Sequence, residues 1–205
     1  MTNWITYPTT LAGKIVDLVS LDKEHFLELN DLAKDKRIWE HYPYDGTRTE
    51  RFMGLMTSAL AERERGTRFT FTIFYKPEHK IIGSTSFLDI QQQHKKLEIG
   101  STWLHPNYWA KAVNLECKLL LLTHCFEVLG ASRVQLKTDE NNIRSRKAIE
   151  KIGGQFEGIL RSDMLRDNNT KRNSAYYSII TEEWHVTKIK LTNLYKAKLS
   201  LSKGF

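Results

Sequence analysis

Between His105 and Asn114 the chain reads HPNYWAKAVN, the approach to a predicted helix, and this stretch holds its strongest case for binding chemistry. The first backbone N–H groups of a helix have no partner within it, and the helix dipole adds partial positive charge to them. From about Ala110 to Asn114 those N–H groups, with the Lys111 ammonium beside them, suit an anion such as a phosphate. Every helix has such an end, so spacing alone leaves water as the competing occupant. Other chemistries lack their residues. The seven histidines (25, 41, 79, 94, 105, 124 and 185) form no i, i+4 pair and the cysteines do not stand at zinc-ligand spacing, so no metal is expected. There is no P-loop, no G-x-G-x-x-G and no G-x-S-x-G. Cys117 falls in mid-helix, where cysteines are mostly inert core residues.

The elements around this stretch form a βαβα unit over Lys96–Gly154. A strand from Leu97 to Leu104 is closed by Pro106, which cannot continue a ladder. A helix follows, its apolar Leu115, Leu119, Leu122, Phe126 and Leu129 stepping by four and three, and Gly130 stops it. A strand from Arg133 to Thr138 then enters a second helix, capped by Asn141 or Asn142 and closed at Gly153-Gly154. In such units a ligand sits beyond the carboxyl ends of the strands, where the first helix begins.

Upstream, Lys14–Leu18 reads as a strand and Ser20 as the cap of a helix to about Lys34, with Phe26, Leu29 and Ala33 inward. Arg37–Tyr44 is a single helical turn or a loop. Thr47 and Glu50 have capping-box spacing before a helix to about Arg65, apolar at Phe52, Met56, Ala59 and Leu60, with Gly66 as its stop. The period then changes to two: Arg68–Tyr75, Lys80–Ile90 and Lys96–Leu104 are three strands of an antiparallel meander. Downstream come a strand Gln155–Leu160, a turn at Asp167–Asn169, a strand Ala175–Ile180 and a basic helix of about 182–201. The expected fold is α+β, a single domain over 1–205 with a core of about 13–184 and a mixed, mostly antiparallel central sheet flanked by helices.

The 205 residues, 40% hydrophobic and 27% charged, suit one soluble globular domain. The longest apolar run, Leu119–Leu122, is far below the roughly 18–20 residues needed to span a bilayer, and the amino-terminal residues do not read as a signal peptide. Cys117 and Cys125 lie eight positions apart on one helix, roughly 12 Å by its rise. That is too far for a disulfide. Free thiols fit a reducing compartment, so a cytoplasmic protein without a membrane partner is expected. The net charge of +7 invites a nucleic-acid reading, partly through Lys188, Lys190, Lys196, Lys198 and Lys203. Most of the excess is spread, which argues for a solvated surface instead.

The segment LEIGSTWLHPNYWAKAVN…LLLLTHCFEVLGASRVQLKTDENNIRSRKAIEKIGGQFEG resembles the GNAT superfamily of N-acetyltransferases, and within it the ribosomal-protein N-terminal acetyltransferase (Rim-type) branch. The elements that carry the resemblance are EIG-x-x-WLHP, FEVLG-x-x-RV and N-x-x-S-R-x-A-I-E-K-I-G (Asn142–Gly153), with EGILR and YYSIITEEW as closing strands. It covers roughly Gly13 to Trp184 and implies a GNAT-like acyl-CoA N-acyltransferase fold.

The resemblance further implies acetyl-CoA as co-substrate and a primary amine, on a peptide N-terminus or a small molecule, as acceptor in direct transfer within a ternary complex. The family's pyrophosphate loop, Q/R-x-x-G-x-G/A, falls on Trp109, Ala110, Lys111, Ala112, Val113 and Asn114, and all three specified positions differ. The backbone donors remain, and the Asn114 amide offers another. The attacking amine must be neutral, and Glu98 is the candidate base, acting through water. A backbone N–H near Trp103 or Leu104 would meet the thioester oxygen. Ser145 would give the departing thiolate a proton or a hydrogen bond, Asn142 would hydrogen-bond the pantetheine arm, and Arg146 and Lys151 would meet phosphate. Without the resemblance, Glu98 reads as a strand-surface residue and Ser145 as a helix-capping serine. The acceptor is expected between Leu21–Arg65, with its aromatic loop Trp39–Tyr44, and the last strands near Tyr176. The altered loop motivates a second reading, a non-catalytic acyl-CoA-binding or regulatory module, and the basic charge a third, a nucleic-acid-binding protein. Either a monomer or a homodimer fits the sequence.

Overall fold

The computed structural model describes residues 4–201, so Lys203 of the basic tail lies outside the described residues. The elements run β1 (Thr10–Ala12), β2 (Val16–Ser20), α1 (Phe26–Leu32), α2 (Thr49–Glu64), β3 (Phe69–Tyr75), β4 (Lys80–Gln91), β5 (Lys96–Leu104), α3 (Val113–Thr123), β6 (Arg133–Asp139), α4 (Ile143–Lys151), β7 (Gln155–Leu165), β8 (Lys171–Ile180) and α5 (Thr181–Leu201). The strands form one sheet in the order β1-β2-β3-β4-β5-β6-β8-β7. The fold is the expected α+β arrangement, with β5 and β6 parallel and the other neighbouring strands antiparallel.

Two apolar clusters sandwich the sheet. On one face α3 and α5 bury Val113, Cys117, Leu121 and Leu191 against Val16, Phe71, Leu97 and Tyr177. On the other, α1 and α2 bury Phe26, Leu29, Phe52 and Met56 with Trp39 and Trp103. The carboxyl face of α5 that the sequence shows as a basic tail is therefore half core: Leu191 is fully buried and Tyr195 nearly so.

Several local signals resolve differently from expectation. Ser20 bonds Thr9 across the β1–β2 hairpin, Oγ to carbonyl 2.8 Å, and Asp22 caps the following helical turn instead. Thr47 donates its hydroxyl to Asp45 Oδ1 (2.7 Å), so no capping box forms and α2 begins without a side-chain cap. The expected first strand lies two residues later, paired to β1, which its polar flanks hide. The strands β7 and β8 extend to Leu165 and back to Lys171, because β7 is solvent-exposed along most of its length and so carries no alternation.

The stripe on α3 is also displaced. The fully buried positions are Cys117, Leu121, Leu122 and Cys125, while Leu115, Leu119 and Leu129 are only partly covered. A wide turn at His124–Val128, closed by Leu129 N to His124 O at 3.0 Å, rotates the last residues before Gly130 (φ 63°) ends the helix. The helix is pressed between the sheet and α5, so its apolar surface is wider than one stripe. That surface includes a charge. Glu116 is 3% exposed, and its carboxylate accepts from the backbone N–H groups of Lys14, Ile15 and Val16 (2.7–2.8 Å) and from the Tyr195 hydroxyl (2.6 Å). Four donors satisfy the carboxylate that burial would otherwise penalise.

Candidate active site

The β5–β6 ladder pairs only Lys96–Glu98 with Arg133–Gln135, although both strands continue beyond it. Their carboxyl halves part, and a cavity of about 680 Å³ opens there, between the starts of α3 and α4 on one side and the α1–α2 connection on the other. This is where a strand–helix–strand unit holds its ligand. On the other side of β5 the register with β4 slips from Gly100↔Ser86 to Trp103↔Ser84, and Ser101 takes φ 45°. The extra residue is a β-bulge, and the residues it sets out of register, Ser101 and Thr102, line the cavity. Trp103 and Leu104, the expected positions for a backbone donor, are back in register with β4.

At the helix end of the cavity, α3 begins at Val113, later than expected, after a turn in which Ala110 takes φ 57°. The first intrahelical bond runs from Glu116 N to Ala112 O (3.1 Å), leaving the N–H groups of Val113, Asn114 and Leu115 as the open donors. Trp109, Ala110, Lys111 and Asn114 line the cavity; the side chains of Ala112 and Val113 are buried and contribute backbone only. Trp109 turns inward, its indole N–H donating to Leu104 O (2.8 Å) and its ring packing against both apolar clusters. The Arg144 guanidinium lies 4.0 Å from the centre of that ring, joining the two helix starts across the opening. Lys111, Arg144, Lys151 and Lys198 line this end, so its donors and charge fit a pyrophosphate.

On α4, Asn142 is the cap: its Oδ1 accepts from Ser145 N at 3.0 Å. Ser145 is therefore not the capping residue, and its side chain lines the cavity with those of Asn142, Ala148 and Ile149. Arg146 is not brought to the site. Its Nε donates to the Tyr177 hydroxyl (2.9 Å) and Nη1 to Glu140 O (3.3 Å), on the side of α4 that faces β8, and Arg144 takes the place on the cavity wall.

Glu98 lies at the point where the strands part. It is 3% exposed, accepts from Gln135 Nε2 at 2.8 Å, and has Lys137 Nζ at 3.7 Å. Burial pushes its carboxyl above the usual range, against the pull of Lys137 and Gln135. Gly100 makes room for it: a Cβ there would lie 2.6 Å from Glu98 Oε1 and 2.8 Å from Leu88 Cδ1. Lys137 also approaches Asp163 (3.9 Å), which accepts from the Tyr176 hydroxyl (3.0 Å). The far wall is the expected aromatic loop, where the Tyr42 hydroxyl donates to Thr102 O at 2.9 Å and Tyr44 packs beside Trp39. The β7–β8 turn closes over this loop through Asp167, whose N–H donates to Pro43 O (2.9 Å) and whose carboxylate meets Asp45 N (3.2 Å) and Arg51 (3.0 Å). Among the described residues no group of three or more His, Cys, Asp or Glu could hold a metal ion.

Two buried cations on the cavity wall escape the sequence reading. Lys118 is 7% exposed and donates to Thr102 Oγ1 at 3.0 Å; burial lowers its pKa to about 8. Its signal in the sequence is a lone lysine inside the apolar run ECKLLLL. Arg172, also 7% exposed, is the second residue of β8, where its even spacing from Ser174 could have placed both on one face.

Residues 16–155 match the acetyltransferase (GNAT) domain. The N-acetyltransferase YoaA of Bacillus subtilis, itself uncharacterised, is 30% identical over 123 residues, 60% of this chain and 67% of YoaA. The alignments thus span about two thirds of such curated relatives. A crystal structure of a probable acetyltransferase of the GNAT family from Chromobacterium violaceum superposes with TM-score 0.80 at 27% identity, covering 88% of this chain and 90% of that one. RimJ of Mycobacterium smegmatis, solved in complex with CoA-disulfide, shares the fold at TM-score 0.78 and 17% identity over 92% of this chain and 95% of its own. The matched residues run from β2 to the start of β7 and enclose the whole β5–α3–β6–α4 unit: the chain belongs to the GNAT family of N-acetyltransferases.

Proposed function

We propose that this protein transfers the acetyl group of acetyl-CoA to a primary amine, on a peptide N-terminus or a small molecule, by direct attack within a ternary complex. The observation that carries the reading is a buried, basicity-enhanced carboxylate, Glu98, at the mouth of the β5–β6 notch whose other end offers the open donors of α3. Bound acetyl-CoA would supply the activated acetyl group. The N–H groups of Val113, Asn114 and Leu115, with Lys111 and Arg144, hold its pyrophosphate, and Asn142 and Ser145 flank the pantetheine arm.

Glu98 takes a proton from the acceptor ammonium, directly or through water, and leaves the amine free to attack. A backbone N–H near Trp103 or Leu104, which line the cavity just after the bulge, stabilises negative charge on the carbonyl oxygen. As the C–S bond breaks, the Ser145 hydroxyl donates to the sulfur. The acceptor enters past the Tyr42–Tyr44 loop, under the turn held by Asp167.

The test is a thiol-release assay over amines and N-terminal peptides, paired with calorimetric titration of acetyl-CoA. Glu98→Gln is expected to lower turnover by about 100-fold with cofactor affinity nearly unchanged, and equal turnover removes Glu98 from the mechanism. Binding without turnover on any acceptor would instead make the protein a non-catalytic acyl-CoA-binding module.

A further inference from the structure

Arg172 is one of two buried cations, with Lys118, that the acetyl-transfer chemistry leaves without a task. Its Nη1 donates to His41 O at 3.3 Å and its Nη2 to Ser174 Oγ at 3.1 Å, both neutral acceptors, while its Nε is buried with no partner. Among the described residues it pairs with no carboxylate. The neighbouring arginines do: Arg166 is bound by Asp139 at 2.5 Å and Arg51 by Asp167 at 3.0 Å. A buried guanidinium without a counter-ion is costly, so its retention on a cavity wall calls for a negative charge supplied from outside. Each terminal nitrogen keeps a second N–H, and the planar fork matches a carboxylate.

Its place in the cavity says which ligand carries that charge. Arg172 is on β8, four residues before Tyr176 and against the His41 carbonyl of the acceptor-side loop, whereas the pyrophosphate donors are on α3. Glu98 and Arg172 both line this one cavity, with the Tyr42–Tyr44 loop. An amine at Glu98 and an anion at Arg172 therefore belong to one acceptor.

We infer that the acceptor carries a side-chain carboxylate as well as its primary amine, and that Arg172 binds this side-chain carboxylate while the amine faces Glu98. The inference rests on the acetyltransferase reading for the amine, and on the unpaired Arg172 for the acid. One guanidinium matches the single charge of a carboxylate better than a phosphate dianion. Two sources present that chemistry, a free acidic amino acid and a peptide beginning with Asp or Glu.

The experiment compares isosteric pairs in the thiol-release assay: glutamate against glutamine, and peptides beginning with Glu against Gln or Asp against Asn. In the wild type kcat/KM is expected to favour the acidic member by at least about tenfold, and which pair shows this identifies the source. Arg172→Met should abolish the preference by raising KM for the acidic member, with the neutral member and acetyl-CoA affinity changed by less than about twofold. Arg172→Lys, which keeps charge and lacks the fork, should retain part of it, and carries the test if Arg172→Met does not fold. A readout without turnover separates this inference from the proposed reaction. CoA-loaded protein is titrated with N-acetylglutamate or N-acetylglutamyl peptide, and with their glutamine counterparts. Preferential binding of the acid, lost in Arg172→Met, supports the anion site even if no acceptor is acetylated. Equal binding of acid and amide, or a preference that survives Arg172→Met, overturns it.

Discussion

Lys118 offers a measurement of how dry the cavity wall is. The side chain is 7% exposed, its one bond among the described residues is to a neutral hydroxyl, and burial lowers its pKa from 10.5 to about 8. A lysine whose folded pKa is lowered binds fewer protons than the unfolded chain between those two values, so its contribution to stability rises with pH across that window. Keeping it charged at pH 7 costs about 3 kcal/mol relative to an unperturbed lysine, falling to about 1.4 kcal/mol at pH 9.5. Lys118→Met preserves the length and apolar stem, and Thr102 Oγ1 keeps its bond to Thr85 Oγ1 (2.7 Å). The variant should therefore be more stable than wild type by about 3 kcal/mol at pH 7, and the advantage should shrink by about half at pH 9.5. Urea denaturation of both proteins at the two pH values reads this directly, because other titrating groups cancel in the difference. A variant that is less stable at pH 7, or an advantage that does not change with pH, refutes the claim that the ammonium is buried unpaired.

Three further outcomes follow from distances already given. The acid limb of the pH–kcat/KM profile should lie above about 4.3, the ordinary glutamate value, because burial holds the Glu98 proton; Lys137→Met, which removes the opposing cation, should move that limb higher still. Gly100→Ala places a Cβ 2.6 Å from Glu98 Oε1, so turnover should fall by about 100-fold while calorimetry shows acetyl-CoA binding unchanged. Glu116→Gln puts an amide NH₂ against two of the four donors and should lower stability by about 2–4 kcal/mol in urea denaturation.

The βαβα unit was legible because its signals are local: alternation in β5, Pro106 after it, Gly130 after the helix, and Asn142 as a cap. The resemblance put Glu98, Asn142 and Ser145 at one place, and the fold brings all three to the same cavity. Other features depend on contacts that no local pattern encodes. Asp22 rather than Ser20 caps the first helical turn because Ser20 is committed to the β1–β2 hairpin. Arg146 and Arg144 are indistinguishable as helix charges until the tilt of α4 sets one against Tyr177 and the other over Trp109. The inward turn of Trp109 needs the Leu104 carbonyl to come within reach. Lys118 and Arg172 are visible only as exceptions to the polarity of their surroundings.

The Glu116 carboxylate also bears on when this protein becomes competent. Its backbone donors at Lys14–Val16 lie about a hundred positions earlier in the chain, and its hydroxyl donor at Tyr195 lies 79 positions later. Contacts of such separation close slowly, because the loop entropy must be lost before they contribute. The helix whose amino end faces the cavity is thus anchored through one side chain to the two ends of the domain. During synthesis, a chain that has completed β5–α3–β6–α4 but not α5 lacks the last donor to that anchor and leaves Leu191 and Tyr195 missing from the core. The anchor of α3 is complete only once α5 has joined the fold.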